Sequence, residues 1–439
     1  MVTERLKSFV LFCYITAILF IPRLNTLFGD GIQRNLRAED IFFPFMLILC
    51  VISLRKRTLF YAQGPIIYIF YSLVVTLFGL MIFSIPAKAL FIWGKEFQYI
   101  VGFILFIECL NGREQYILYF ERIILTACFV SAIYFIYRLL TFEWSGYGVT
   151  HFTEKISPSL TSWIYFNLFF LALTIKNFEN KDIHPIFLNL LIVSLFFGIL
   201  SGGTRTMFMC LPVFLIMYWF MSLPAVKTVM FSMTLIFFIF IFSLFHDQLV
   251  SYLYSIKADT IAMPLARFRS VFDLFETIGI TRANSWNAVL NIAISSSAIY
   301  FGGGRGFTHL DSDGNMPSLG LGADNQYTVN FSEIGLLGNI LLIMTILCLI
   351  SFVHKKYWKL YIPYIVVYMA GGMTCEIFQL SKAGQLFWIT TGYFIIYSDF
   401  LKRKEIYAPG SIKNNDLANS EKNTKFYNQN EILILNRIH

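Results

Sequence analysis

The residues best suited to chemistry are arginines. Arg205 ends the small-residue turn Ser201–Arg205, and Arg267, Arg269, Arg282 and Arg305 are strung through the polar stretch between residues 246 and 330. A guanidinium carries a fixed charge and a planar fork of N–H groups, so it grips phosphate oxygens in pairs. Gathered in one place, Arg205 and Arg282, with Arg267, Arg269 and Arg305 beside them, would form an outer-face pocket for an anionic group on a lipid. Each arginine taken singly has an ordinary alternative, a lipid head group or a pairing with Asp247, Asp259, Asp273 or Glu276.

A nucleophilic hydroxyl reacting beside such a pocket would need a proton acceptor. Asp324 is the candidate base, with Glu333 and His309 as secondary candidates. Asp324 equally suits the N-cap of a helix starting near 328, and Glu333 suits the dipole of that helix. The run "DSDGN", Asp311 to Asn315, has the form of a metal-holding Asp-x-Asp but reads as an Asp/Gly turn. It also lacks the acidic twelfth residue of a calcium loop, where Gly322 stands. No metal and no cofactor are expected.

The elements that must position these groups are membrane helices. The chain is 57% hydrophobic and 14% charged, and its apolar residues come in blocks, not in amphipathic stripes. Blocks of about 17–25 apolar residues match the bilayer core, where only a helix or a closed barrel satisfies its own backbone. The blocks lie near 6–22, 39–54, 60–84, 90–110, 116–141, 160–175, 185–201, 205–222, 228–245, 331–352, 360–375 and 384–401. The expectation is an all-α polytopic membrane protein with about twelve transmembrane helices. The first block lacks a small-x-small cleavage site before Pro22 and reads as a retained helix.

Orientation follows from the basic residues, which gather in short cytoplasmic loops. With the N-terminus inside, the inner connections carry Arg55-Lys56-Arg57, Arg113, Lys176 with Lys181, Lys227, Lys355-Lys356 and Lys402-Arg403-Lys404. Both termini are then cytoplasmic. The chain divides into helices over 1–245, a large outer (periplasmic) loop with short helices over 246–330, helices over 331–401, and a polar cytoplasmic tail over 402–439. Within the loop, 283–299 reads as a helix with Trp286, Val289, Leu290, Ala293 and Ile294 on one side, suited to lie on the membrane surface. All seven cysteines fall in the apolar blocks, none in the loop, so neither disulfides nor zinc are expected. Glu108, Glu121, Arg122 and Glu376 are the ionisable groups noted within the blocks, mostly near block ends where they reach water. Nothing in the +8 formal charge suggests nucleic acid.

Three motifs make the chain resemble the O-antigen polymerase and ligase superfamily, the Wzy-type polymerases in particular. They are "SGGTR" at the start of a helix, the loop residues Arg282, Trp286, Ala288 and Val289 followed by "FGGGRGF" (Phe301–Phe307), and "ADNQY…SEIGLLG" over 323–338. The plan of many helices with one late outer loop is similar too. The resemblance implies a metal-independent glycosyltransferase of the bacterial inner membrane. Its substrate would be an undecaprenyl-pyrophosphate-linked oligosaccharide drawn from the membrane lipid. The growing glycan would pass to a new lipid-linked repeat unit at the periplasmic face, in lipopolysaccharide (surface polysaccharide) biosynthesis. In such a reaction Arg205 and Arg282, with Arg267, Arg269 and Arg305, would bind the pyrophosphate and stabilise its charge as the glycosyl–phosphate bond breaks, and Asp324 would take the proton of the attacking sugar hydroxyl. Partners implied by the resemblance are a chain-length regulator of Wzz type and a flippase of Wzx type. The alternatives are an O-antigen ligase, which typically shows His-Asn where this chain has Asp324-Asn325, and a twelve-helix flippase for lipid-linked oligosaccharide.

Overall fold

A computed structural model describes residues 2–21, 37–85, 87, 89–141, 149–151, 154–156, 158–178, 184–201, 204–258, 262, 265–266, 286–287, 289–296, 298–307, 326–373 and 381–407. The described chain is almost entirely helical. In order it forms α1 (Val2–Phe20), α2 (Ala38–Ser53), α3 (Lys56–Ile82), α4 (Ala89–Leu110) and α5 (Glu114–Thr141). A small hairpin follows, β1 (Val149–His151) and β2 (Glu154–Ile156), antiparallel with Thr150 opposite Lys155. Next come α6 (Pro158–Asn177), α7 (Pro185–Ser201), α8 (Arg205–Ser222), α9 (Ala225–Ser255), α10 (Gln326–Glu333), α11 (Gly335–Phe352), α12 (Trp358–Gly372) and α13 (Ser381–Tyr407). Helices fall where the apolar blocks predict them. Five are long and apolar enough to cross a membrane: those within Lys56–Ile82, Ala89–Leu110, Glu114–Tyr137, Ala225–Phe242 and Gly335–Phe352. The hairpin is the one departure from an all-helical reading among the described residues.

Two predicted boundaries move. The block at 331–352 is not one helix, because Gly335 adopts φ +69 and breaks it between α10 and α11. The block at 228–245 continues to Ser255, since His246, Asp247 and Gln248 lower the hydropathy without breaking the helix. The stretch at 283–299 is helical over 289–295, but Ile294 is exposed. Val289 instead packs with Val329 of α10 and with Trp286, so this element leans on the helices and not simply on a membrane surface. The tail beyond residue 407 lies outside the described residues.

The bundle has two chemically distinct ends. At the end bearing the chain's N-terminus, Glu108 of α4 is buried, accepts from Thr58 Oγ1 at 2.6 Å, and pairs with Arg55 at 3.0 Å and Lys7 at 3.6 Å. Glu4 joins Lys7, Arg55 and Arg113 there. The other end receives the chain between α9 and α10, and is called the loop end. Between the two ends α4 is central, 61% of its spanning window being buried against 6% for α9. Aromatic rings fill the seam of α6, α12 and α13, with Phe170 stacked on Tyr364 at 4.1 Å and Asn167 hydrogen-bonded to Tyr364 and Tyr368. Glu121, expected to reach water, is buried and accepts from Tyr393 at 2.6 Å. Glu108 is likewise buried, because neighbouring helices bring it hydrogen-bond donors that water would otherwise supply.

Candidate functional site

At the loop end, one turn of backbone is built into the bundle. Residues Phe301–Phe307 carry glycines at 302, 303, 304 and 306, and three of them have positive φ: Gly302 (+91), Gly304 (+96) and Gly306 (+81). Side chains rarely adopt that region, and the turn lies too close to its neighbours to admit them. A Cβ at Gly302 would overlap the Glu333 carbonyl, and one at Gly79 of α3 would overlap the Gly303 carbonyl oxygen. The turn pairs with the α10–α11 break in a short ladder. Gly303 N donates to Ser332 O and Gly304 N to Glu333 O, each at 2.8 Å, and Leu336 N donates to Ile299 O at 2.9 Å. These bonds use the backbone groups that the kink at Gly335 frees, which is why the tenth block splits there. Tyr71 of α3 adds a hydroxyl between the carbonyls of Phe301 (3.1 Å) and Ile334 (3.2 Å).

Arg305 lies at the centre of this turn and is fully buried. Its backbone N–H donates to Thr76 Oγ1 at 3.1 Å. Its Nε donates to Ser72 at 3.2 Å, and its Nη1 to Asn330 at 2.8 Å and Glu333 at 3.1 Å. Its Nη2 donates to the Tyr68 hydroxyl and pairs with Glu96, each at 2.8 Å. The second Glu333 oxygen accepts from Gly306 N at 2.7 Å. Burial alone would lower the pKa of Arg305, but the coulombic pull of Glu96, Tyr68 and Glu333 raises it, so the group is a fixed cation. One guanidinium against two carboxylates gives a formal sum of +1 − 2 = −1 for the three side chains.

The placement of the sequence-predicted residues follows. Arg305 and Glu333 are brought together, as partners of one another. All three guanidinium nitrogens face protein atoms, so the expected grip of Arg305 on a pyrophosphate gives way to a structural one. Both Glu333 oxygens are taken up as well, and the residue ends α10 instead of starting it, so neither a base nor a complement to that helix's dipole describes it. Arg205 opens α8, with Thr204 before it. The turn at Leu223–Pro224 makes α8 and α9 antiparallel, with Thr228 Oγ1 reaching Trp219 O at 3.0 Å. The start of α8 is therefore at the loop end, where α9 finishes. The Arg205 side chain, and Arg267, Arg269, Arg282, His309, the Asp311–Asn315 run and Asp324, lie outside the described residues. Among the described residues no group of His, Cys, Asp and Glu is placed to hold a metal ion.

Sequence reasoning missed the partners of Arg305. A signal was present: Tyr68, Ser72 and Thr76 recur every fourth residue along an otherwise apolar α3, which sets them on one helix face. Glu96, an acid inside an apolar block, was the complementary sign. No family model matches the chain, and no curated protein matches it.

Proposed function

We propose that the chain is a surface-polysaccharide polymerase of Wzy type, with about twelve spans and the loop end facing the periplasm. It would transfer a growing glycan from undecaprenyl pyrophosphate to a new lipid-linked repeat unit. The observation that carries the reading is the built-in glycine turn. Pinned by Arg305 to α3, α4 and α10, it holds one end of the bundle where the chain returns from the segment carrying Arg282. The same end receives the chain at Gln326, two residues after Asp324, and it bears the start of α8 at Arg205. Rigid supports are what preorganised charge stabilisation requires. In this mechanism Arg205 and Arg282, with Arg267 and Arg269, neutralise the departing pyrophosphate. Asp324 accepts the proton of the attacking hydroxyl. Arg305 supports the turn without touching substrate.

A transporter is the second reading. The observation favouring it is the burial of Glu96, Glu108, Glu121 and Arg305 within the helices, since ionisable groups inside a bundle often mark a transport path. One genetic experiment separates the readings. In a bacterium whose surface glycan depends on this chain, loss of a polymerase leaves single repeats on the surface glycolipid. Loss of a flippase leaves none, and loss of a ligase strands long polymer on its carrier. Arg205→Ala and Arg282→Ala should each abolish chain extension in a protein that still reaches the membrane, with Lys restoring only part for want of the fork. Normal ladders from both alanine variants would defeat the assignment.

A further inference from the structure

A second polar group lies at the loop end, between the ends of α1, α2, α4 and α13. Glu39, in the first turn of α2, is fully buried, and its carboxylate oxygens accept no hydrogen bond from another described residue, its own backbone N–H being the one donor near them. The nearest cation, Arg37 Nη1, stands at 3.9 Å. Gln98 of α4 holds only the Glu39 backbone carbonyl, at 3.2 Å. Gln98 is two residues on from Glu96 and so on the far side of α4 from Arg305.

Two neutral side chains on the helices of this seam also have polar atoms without hydrogen-bond partners among the described residues. Tyr14 of α1 is 1% exposed with no partner for its hydroxyl, and it packs against Gly102, one turn along α4 from Gln98. Gln385 of α13 is 1% exposed with no partner for either amide atom. One turn before it, Lys382 donates to the Ile21 carbonyl at 3.2 Å, tying α13 to the end of α1, and its charge acts on Glu39. Asp40 Oδ2 meets Lys95 and accepts from the Arg37 backbone N–H at 2.8 Å, while Asp40 Oδ1 has no hydrogen-bond partner among the described residues. Unpaired buried polar atoms are rare, and several side chains with such atoms at one end of a bundle point to something they bind.

The donors and acceptors identify the class. A carboxylate or a phosphate diester has no proton for the Glu39 oxygens, and any phosphate is repelled by their charge. A metal ion would meet Arg37, Lys95 and Lys382, and would leave the Gln385 N–H groups idle. A sugar hydroxyl both donates and accepts, so vicinal hydroxyls satisfy a carboxylate, an amide and a phenol together. We propose that this seam binds hydroxyl groups of a saccharide, with Glu39 accepting from them and Gln385 both donating and accepting. The class of ligand follows from these side chains. Its identity as part of a lipid-linked repeat unit rests on the polymerase reading.

The test uses the purified full chain in detergent micelles, with the methyl glycosides of glucose, galactose, N-acetylglucosamine and rhamnose as probes in saturation-transfer NMR. At least one should bind, undiminished by inorganic phosphate or calcium chloride. Glu39→Gln and Gln385→Leu should each weaken that binding by about tenfold or more, the loss of a hydrogen bond to a charged or well-placed group. Gln385→Leu should leave the melting midpoint at or above the parent's, because it removes an unpaired amide from the interior. This variant keeps the test valid if Glu39→Gln misfolds. Absence of binding by all four glycosides, equal binding in Gln385→Leu, or phosphate or calcium bound in their place would overturn the proposal. The assay involves no transfer, so it also separates the two readings. A chain that binds saccharide yet extends no polymer keeps this inference and loses the polymerase, and the reverse result does the opposite.

Discussion

Replacing Arg305 is the sharpest probe of how the loop end is held. Arg305→Ala leaves Glu96 and Glu333 buried with no counter-charge, where each had a guanidinium nitrogen within 3.1 Å. Breaking a buried ion pair from one side costs roughly 3–5 kcal/mol. Arg305→Lys keeps the charge, but a compact ammonium cannot span five partners, and losing the bonds to Ser72 and Tyr68 at about 1 kcal/mol each gives about 2 kcal/mol. Removing the charges together should be far milder. In Arg305→Met/Glu96→Met/Glu333→Gln no buried charge remains, and the amide that replaces the Glu333 carboxylate still offers an oxygen to the Gly306 N–H. That variant should recover at least half of the alanine loss, as replacement of whole buried ion groups by apolar ones generally does. The readout is the melting midpoint of purified protein in micelles, followed by tryptophan fluorescence, with a drop on the order of 5 °C expected for Arg305→Ala. An unchanged midpoint for Arg305→Ala, or a triple variant as unstable as the sum of its parts, would refute the idea that this cluster is one coupled unit.

Three further outcomes are expected. Gly79→Ala should loosen the glycine turn, since its new methyl overlaps the Gly303 carbonyl; a loss of about 1–3 kcal/mol should show as a lower midpoint and faster protease cutting between 308 and 325. Glu108→Ala takes a buried acceptor from Thr58 and one of two acids from Lys7, which keeps Glu4, and should cost about 1–3 kcal/mol, whereas Arg57→Ala, which gives up a half-exposed pairing with Asp399, should cost under about 1 kcal/mol; a larger loss for Arg57→Ala would contradict the burial argument. Asp324→Asn should stop chain extension if the carboxylate takes the proton, and full ladders from that variant would leave capping of α10 as its role.

The helices were legible because the apolar blocks run on with few polar interruptions, five of them holding helices long and apolar enough, among the described residues, to cross a membrane, where a backbone without water has no other open-chain solution. Boundaries failed where tertiary contacts outrank hydropathy. Nothing in "SEIGLLG" says that Gly335 must kink; the partner strand of backbone at 299–304 decides that, from thirty-odd residues away. The candidate site was legible as composition and not as geometry. Arg305 and Glu333 were both singled out, but charge type does not reveal burial, and their pairing depends on Tyr68, Ser72, Thr76 and Glu96 arriving from two distant helices. Glu39 and Gln385 were invisible for a related reason: an acid at a block edge reads as water-facing until four helix ends close around it.

The segment from 308 to 325 starts three residues past a guanidinium locked among helices and ends where α10 begins, beside the same lock. Both hems of this piece of chain are therefore stitched to one seam. Closing a connection between neighbouring posts depends only logarithmically on its length, so doubling it adds about 0.6 kcal/mol. Descendants of this gene can thus lengthen or trim the connection ahead of Asp324, and so try out new partners, while the scaffold beneath stays indifferent.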